Sequence, residues 1–326
     1  MKIKLTEEEL EDFNGLLSQL DENIEAGDTY NEILENGYLV DTESTILPIS
    51  KLDPKPYFNN PYMKNVRPKP IRKGNWTLKT GKYIHHQGFL YGEITSLEED
   101  GYRDRTPFGY FEKTFNYLEL DEGKTNWMSI TPHEINTMDK SVKEAKGNVL
   151  VLGLGLGYYP YMISLKDSVK SIDIVEIAEE PIEIFKEAIL PYFTKKSKVN
   201  VISIDAFEYL KNNTKKYDYV FVDLWHLPED GLPLYVKALK LEKENTQYSY
   251  WIENEMLIML RRAALILMDE YLQDPEHKPF EEETFSDKIV NAIDKNTKDL
   301  IINNFDELLK FIRNDSLKAM AKNIIL

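Results

Sequence analysis

The sequence predicts an α/β fold built on a doubly wound parallel sheet. Three observations predict it. Short apolar runs recur at 149–152, 172–176, 199–204 and 219–223, helical segments separate them, and the first run ends in the glycine loop Gly153-Leu154-Gly155-Leu156-Gly157. Continuous apolar runs suit strands covered on both faces, and alternating strands and helices build a parallel sheet. A small antiparallel β-sheet is expected before this domain, with helical extensions at both ends. The expected units are 1–74 (a helical segment and a Pro-rich basic arm), 75–130 (the small β domain), 131–253 (the α/β domain) and 254–326 (C-terminal helices).

Residues 6–40 read as helix. Thr6 and Glu9 form a capping-box pattern, and Leu10, Phe13, Leu17, Leu20 and Ile24 follow at helical spacing. Pro48, Pro54, Pro56, Pro61, Pro68 and Pro70 argue against regular helix or strand in the next segment. Residues 51–82 hold nine Lys or Arg against one acid, Asp53, with Tyr57, Phe58, Tyr62 and Trp76 interleaved. The favoured reading is an extended arm lying on the acidic body of its own chain, or of a partner subunit in a homo-oligomer. Aromatic and apolar runs at 76–78, 83–85, 89–92 and 115–118, with a turn at Asp121-Glu122-Gly123, form the small sheet.

Thr131-Pro132-His133-Glu134 reads as a helix start, with Thr as cap, Pro in the first position and Glu in the third, and the helix is expected to run to about Lys146. The helix after the second strand starts near Pro181 and stops at Pro191. Residues 247–253 suit a fifth strand. A buried helix at 255–272 and shorter helices at 285–296, 303–313 and 315–325 complete the chain. No hairpin of final strands is evident after residue 253.

The 326 residues contain no cysteine, which excludes disulfides and thiolate metal sites. A net charge of −16 repels nucleic acid and anionic lipid, so the basic arm at 51–82 is the one candidate nucleic-acid contact. The most apolar stretch, 256–268, is short and is interrupted by Arg261 and Arg262, and the N-terminus has no apolar signal core. A cytoplasmic protein with no membrane contact is expected. His85, His86, His133 and His277 show no metal-ligand spacing, and no metal is expected.

The glycine loop carries the functional argument. A sharp turn at a strand end favours residues free to adopt positive φ, and the absence of Cβ lets backbone approach a ligand. Glu176 ends the second strand, 21 positions after Gly155, where a carboxylate is placed to accept ribose hydroxyls. Asp205-Ala206 ends the third strand, where an acid and an N–H can read an adenine edge. Asp223 ends the fourth, over the reactive end of the pocket. A dinucleotide loop would want its third glycine at Tyr158 rather than Gly157.

These residues resemble class I S-adenosylmethionine-dependent methyltransferases, with a Rossmann-like domain, and among them the spermidine-synthase-like branch. The likeness covers about 75–240. It implies that Gly153, Gly155 and Gly157 hold the methionine and sugar side, that Glu176 holds the ribose, that Ile177 flanks the adenine, and that Asp205 and Ala206 meet its edge. The branch's aminopropyltransferases carry Asp within the glycine loop, where this chain has Leu156. They also carry Asp as the acceptor-amine base three positions beyond the fourth-strand Asp, where this chain has His226 in Asp223-Leu224-Trp225-His226. The resulting expectation is a methyltransferase that uses S-adenosyl-L-methionine on an unidentified, small-molecule or other, acceptor, with Asp223 and His226 as catalytic groups and Trp225 as a pocket wall. A non-catalytic nucleoside-binding module ranks second and aminopropyl transfer last.

Overall fold

The computed structural model describes residues 1–36 and 48–326. Helix α1 (Glu7–Asn36) opens the chain. Its capping box forms: the Thr6 N–H donates to Glu9 Oε2 at 2.8 Å and the Glu9 N–H to Thr6 Oγ1 at 3.3 Å. Phe13, Leu20 and Tyr30 are buried, but Ile24 is exposed. The buried face includes Asn23, whose amide donates to the Tyr102 carbonyl at 3.0 Å and accepts from the Asp104 N–H at 3.0 Å. The part of the expected helix at 37–40 lies outside the described residues.

The Pro-rich arm is more regular than expected. Helical turns form at Lys55–Phe58 and Pro61–Asn65. Each has proline in its first turn, where no intrahelical N–H is needed. The Asn60 side chain caps the second turn by accepting from the Tyr62 N–H at 2.9 Å. Tyr62 is fully buried, and its hydroxyl donates to the Leu156 carbonyl at 2.5 Å. Asn60 donates to the Tyr158 hydroxyl at 2.9 Å. The arm therefore buttresses the glycine loop. Three of its cations bond acids of the same chain: Lys51 to Glu112 at 2.6 Å, Lys73 to Glu187 at 2.7 Å, and Lys79 to Asp121 at 2.5 Å.

The small sheet comprises β1 (Ile71–Lys73), β2 (Trp76–Tyr83), β3 (Phe115–Glu122) and β4 (Thr125–Ser129). It is antiparallel in the order β4-β3-β2-β1. It begins before residue 75, because β1 pairs with β2 across a tight turn at Gly74 (φ 53°). The helix expected from Thr131 to Lys146 is broken into α2 (Pro132–Thr137) and α3 (Asp139–Glu144).

The main sheet holds β5 (Gly147–Leu152), β6 (Val169–Glu176), β7 (Val199–Ser203), β8 (Tyr219–Val222) and β9 (Gln247–Tyr250). All pair parallel, in the order β7-β6-β5-β8-β9. The order reverses at β5, so the crevice at its carboxyl end is the topological switch point, where ligands bind such sheets. The helix after β6 passes from α-helix (Glu179–Ile184) into a π turn (Phe185–Ile189) and a short 3₁₀ turn before Phe193. Among the described residues no antiparallel strand extends the sheet beyond β9. Helix α4 (Glu253–Gln273) follows instead, with Arg261 buried in it; that guanidinium donates to the Ile312 carbonyl at 3.0 Å and lies over the Tyr102 ring. Among the described residues no helix is long and apolar enough to cross a membrane.

Replacing Tyr62 with Phe leaves the Leu156 carbonyl without that donor inside the core. Tyr62→Phe is expected to lower unfolding free energy by about 1–3 kcal/mol, read by urea titration. An unchanged midpoint would mean that the arm does not support the loop.

Candidate active site

The loop after β5 is compressed from two sides. Gly153 takes φ 98°, and a Cβ there would sit 1.8 Å from the Asp223 carbonyl oxygen. Gly155 takes φ 49°, and its Cβ would meet Met128 Sδ at 2.0 Å. Left-handed backbone and two close approaches both demand glycine. Met128, on β4, also accepts the Leu156 N–H at 3.0 Å. The small sheet thus presses directly on the loop and closes the crevice from above.

Below the loop lies a cavity of about 500 Å³. Of the residues singled out from sequence, Gly153, Gly155, Glu176, Ile177, Asp223 and His226 line it, as does Trp225. Gly157, Asp205 and Ala206 do not. Gly157 instead packs against Phe185, which a Cβ would meet at 2.5 Å. Asp205 is a helix cap: its carboxylate accepts the Glu208 N–H at 2.8 Å. Glu176 is locked in place by backbone N–H groups of Leu154, Ile177 and Ala178 at 3.1, 2.8 and 2.9 Å. Three donors fix its carboxylate at the cavity edge with lone pairs to spare. The His226 ring stacks on Trp127, with centroids 6.1 Å apart.

Sequence reasoning missed Glu134. It was read as the third residue of a helix cap, yet Thr131 makes no side-chain capping bond and Glu134 lines the cavity. No hydrogen bond or ion pair holds its carboxylate among the described residues. Burial, and then the charge of Asp223, push its pKa well above the carboxylate range. Asp223 is raised to about 7 by burial first and the Glu176 charge second. His133 is enclosed beside them, and burial lowers it to about 4. Among the described residues no Lys or Arg lines the cavity.

The crevice lies where the strand order reverses, the place at which parallel α/β sheets bind ligands, and carboxylates line it. Residues 130–233 match the family described as the spermine/spermidine synthase domain. The chain is 31% identical over 150 residues to a polyamine aminopropyltransferase of Methanocaldococcus jannaschii, covering 43% of this chain and 47% of that protein. It thus spans about half the length of that curated relative. Among solved structures it is similar to spermidine synthase from Thermotoga maritima, with a TM-score of 0.32 and 13% identity, over 60% of this chain and 71% of that one. The chain contains a spermidine-synthase-like domain.

These matches overturn the expected methyltransferase and its cofactor, S-adenosyl-L-methionine. The domain and the curated relative are both named for aminopropyl chemistry. Leu156 and His226, in place of two acids, are what argues against aminopropyl transfer in the sequence. Those two positions do not exhaust the acids of the cavity, which Glu134 also lines.

Glu134 and Asp223 both bind protons more readily in the folded chain than in the unfolded one. Folding therefore loses stability as pH rises from the unfolded carboxylate pKa through the raised folded value. For Asp223 that window runs from 3.8 to about 7. Asp223→Asn is expected to raise the melting temperature of the ligand-free protein at pH 8 by roughly 3 °C, and to change it little at pH 4. An equal effect at both pH values would contradict the assigned environment.

Proposed function

We propose that this protein transfers an aminopropyl group from decarboxylated S-adenosylmethionine to an amine. One observation carries the reading: Glu134, Glu176 and Asp223 line one cavity to which no Lys or Arg among the described residues contributes. Clustered, partly buried carboxylates call for a cationic ligand, because unpaired charge withdrawn from water is costly. The donor without its carboxylate bears only positive groups, a sulfonium and an ammonium. S-adenosylmethionine itself would bring a further carboxylate with no Lys or Arg to meet it.

In this reading Glu176 accepts the ribose hydroxyls and Ile177, whose side chain is exposed at the cavity rim, covers the base. Gly153 and Gly155 allow the sulfur-bearing chain to lie on backbone. The acceptor's neutral nitrogen attacks the propyl carbon next to sulfur. The C–N bond forms as the C–S bond breaks, both electrons of the latter stay on sulfur, and neutral methylthioadenosine leaves. The proton lost by nitrogen passes to Asp223, whose pKa of about 7 suits proton acceptance near neutrality. Glu134 faces the ammonium, taking the place of the acids absent at Leu156 and His226. Trp127, stacked on His226, forms the aromatic wall, where a ring face favours an alkylammonium. Most of the rate enhancement in such a displacement comes from alignment.

The test is product analysis by mass spectrometry with 1,4-diaminobutane as acceptor. Aminopropylated product is expected from the decarboxylated donor and none from S-adenosylmethionine. Glu134→Gln is expected to raise the acceptor KM by about 10- to 100-fold, from loss of one charged hydrogen bond. Methylated product, or an acceptor KM indifferent to Glu134, would defeat the proposal.

A further inference from the structure

Away from the crevice, two adjacent arginines of α4, Arg261 and Arg262, line a small cavity of about 20 Å³. Its other walls include Asn23 of α1 and, from the segment between them, Ser96, Tyr102 and Asp104. A space of this size holds one water-sized guest. All of these residues lie outside the matched domain at 130–233. The cavity therefore belongs to this chain's own additions to that domain.

Its walls hold more donors than acceptors and more positive charge than negative. Arg261 is only 3% exposed. Among the described residues its acceptors are the Ile312 and Ser96 carbonyls, at 3.0 and 3.4 Å, and the Asn314 side-chain oxygen. All three are neutral, and a guanidinium has five N–H donors to place. Burial lowers its pKa, the direction a buried cation takes when its counter-charge falls short. Arg262 gives one terminal nitrogen to Asp104 at 2.5 Å, while its Nε is buried with no acceptor. Tyr102 is 6% exposed, its ring lies against the Arg261 guanidinium, and its hydroxyl is buried with no partner. One carboxylate, Asp104, thus stands against two guanidiniums, and one positive charge is left over. The Tyr102 backbone is also left-handed, with φ 63°, which a bulky side chain adopts at a cost. Its carbonyl is held by the Asn23 amide and the Ser96 hydroxyl, donating at 3.0 and 2.8 Å. Strain of this kind persists where the surroundings impose it, and it gathers at ligand clamps.

We propose that this cavity is a binding site for one small inorganic anion, a halide such as chloride, held by Arg261, the Arg262 Nε–H and the Tyr102 hydroxyl. Buried polar groups without partners call for a guest that supplies them. A water molecule there satisfies donors but leaves the surplus charge of the guanidiniums, and an uncompensated buried charge is costly. A monatomic anion answers both needs. The volume leaves no room for a tetrahedral oxyanion or a carboxylate ligand. The bound ion joins α1, the segment around Tyr102 and α4, so its effect falls on the stability of these extensions and is independent of the transfer reaction.

The test is thermal unfolding of the full chain in sodium chloride and in sodium gluconate at equal sodium concentration. Chloride is expected to raise the melting temperature by about 3 °C and then to level off, as filling of a single site does. Gluconate, too large for the cavity, is expected to give no saturating rise. Two variants tie the effect to the site. Arg262→Lys keeps a cation for Asp104 but loses the Nε–H, and Tyr102→Phe removes only the hydroxyl. Each is expected to raise the chloride concentration at half-effect by roughly tenfold, from loss of one hydrogen bond to a charged group. Crystals soaked in sodium bromide are expected to show an anomalous-scattering peak beside both guanidiniums. Melting that does not distinguish the two salts, or a chloride response that both variants keep at full strength, would overturn the site. A bromide-soaked crystal with water alone beside Arg261 and Tyr102 would do the same.

Discussion

Carboxylates crowded into one crevice are the constraint around which the functional half of this molecule is arranged. Glu134, Glu176 and Asp223 come from three different elements and meet where the parallel sheet reverses its strand order. A folded chain tolerates such a cluster by keeping some members protonated, and the raised pKa values of Glu134 and Asp223 are that response. The same response primes the site. A cation entering the crevice favours the ionised forms, so part of its binding energy goes into releasing protons that the empty protein holds.

Convergence of those acids requires backbone to be packed tightly. The Gly153 Cα lies against the Asp223 carbonyl and the Gly155 Cα against Met128. A side chain at either position would push the end of β5 away from β8 or from the small sheet. Tyr62 holds the far side of the loop through the Leu156 carbonyl. The basic arm, which composition alone assigns to charge pairing, thus also acts as a steric and hydrogen-bonded support for the loop. Its prolines help: with φ already fixed, they start two short helical turns at little entropic cost.

The fold was legible in the sequence wherever burial dictates composition. Val149, Leu150, Val151 and Leu152 are all but fully buried, and a strand covered on both faces can be written in few other ways. Glu176 at the end of β6 was legible for the same reason, since an acid closing an apolar run has to leave the core. Legibility failed where one residue type serves two purposes. Asp205 and Glu134 each suit a helix start and a ligand site. The structure makes Asp205 the cap and leaves Glu134 uncapped in the cavity. Local spacing cannot separate these outcomes, because the decision depends on what the small sheet covers. Ile24 and Asn23 exchanged places by a related logic: the α1 face is set by the Tyr102 and Asp104 backbone groups that need a partner, not by apolar period alone.

The replacement of acids at Leu156 and His226 acquires a physical meaning in this geometry. Leu156 is buried and its N–H is taken by Met128, so an acid there would have to be buried beside a thioether. His226 stacks on Trp127, a ring contact that an acid at that position would give up. Negative charge instead reaches the cavity from Glu134 on α2, within the matched residues 130–233. A carboxylate there can meet a cation without crowding the glycine loop, so the close packing of the loop and the charge of the cavity are carried by separate elements.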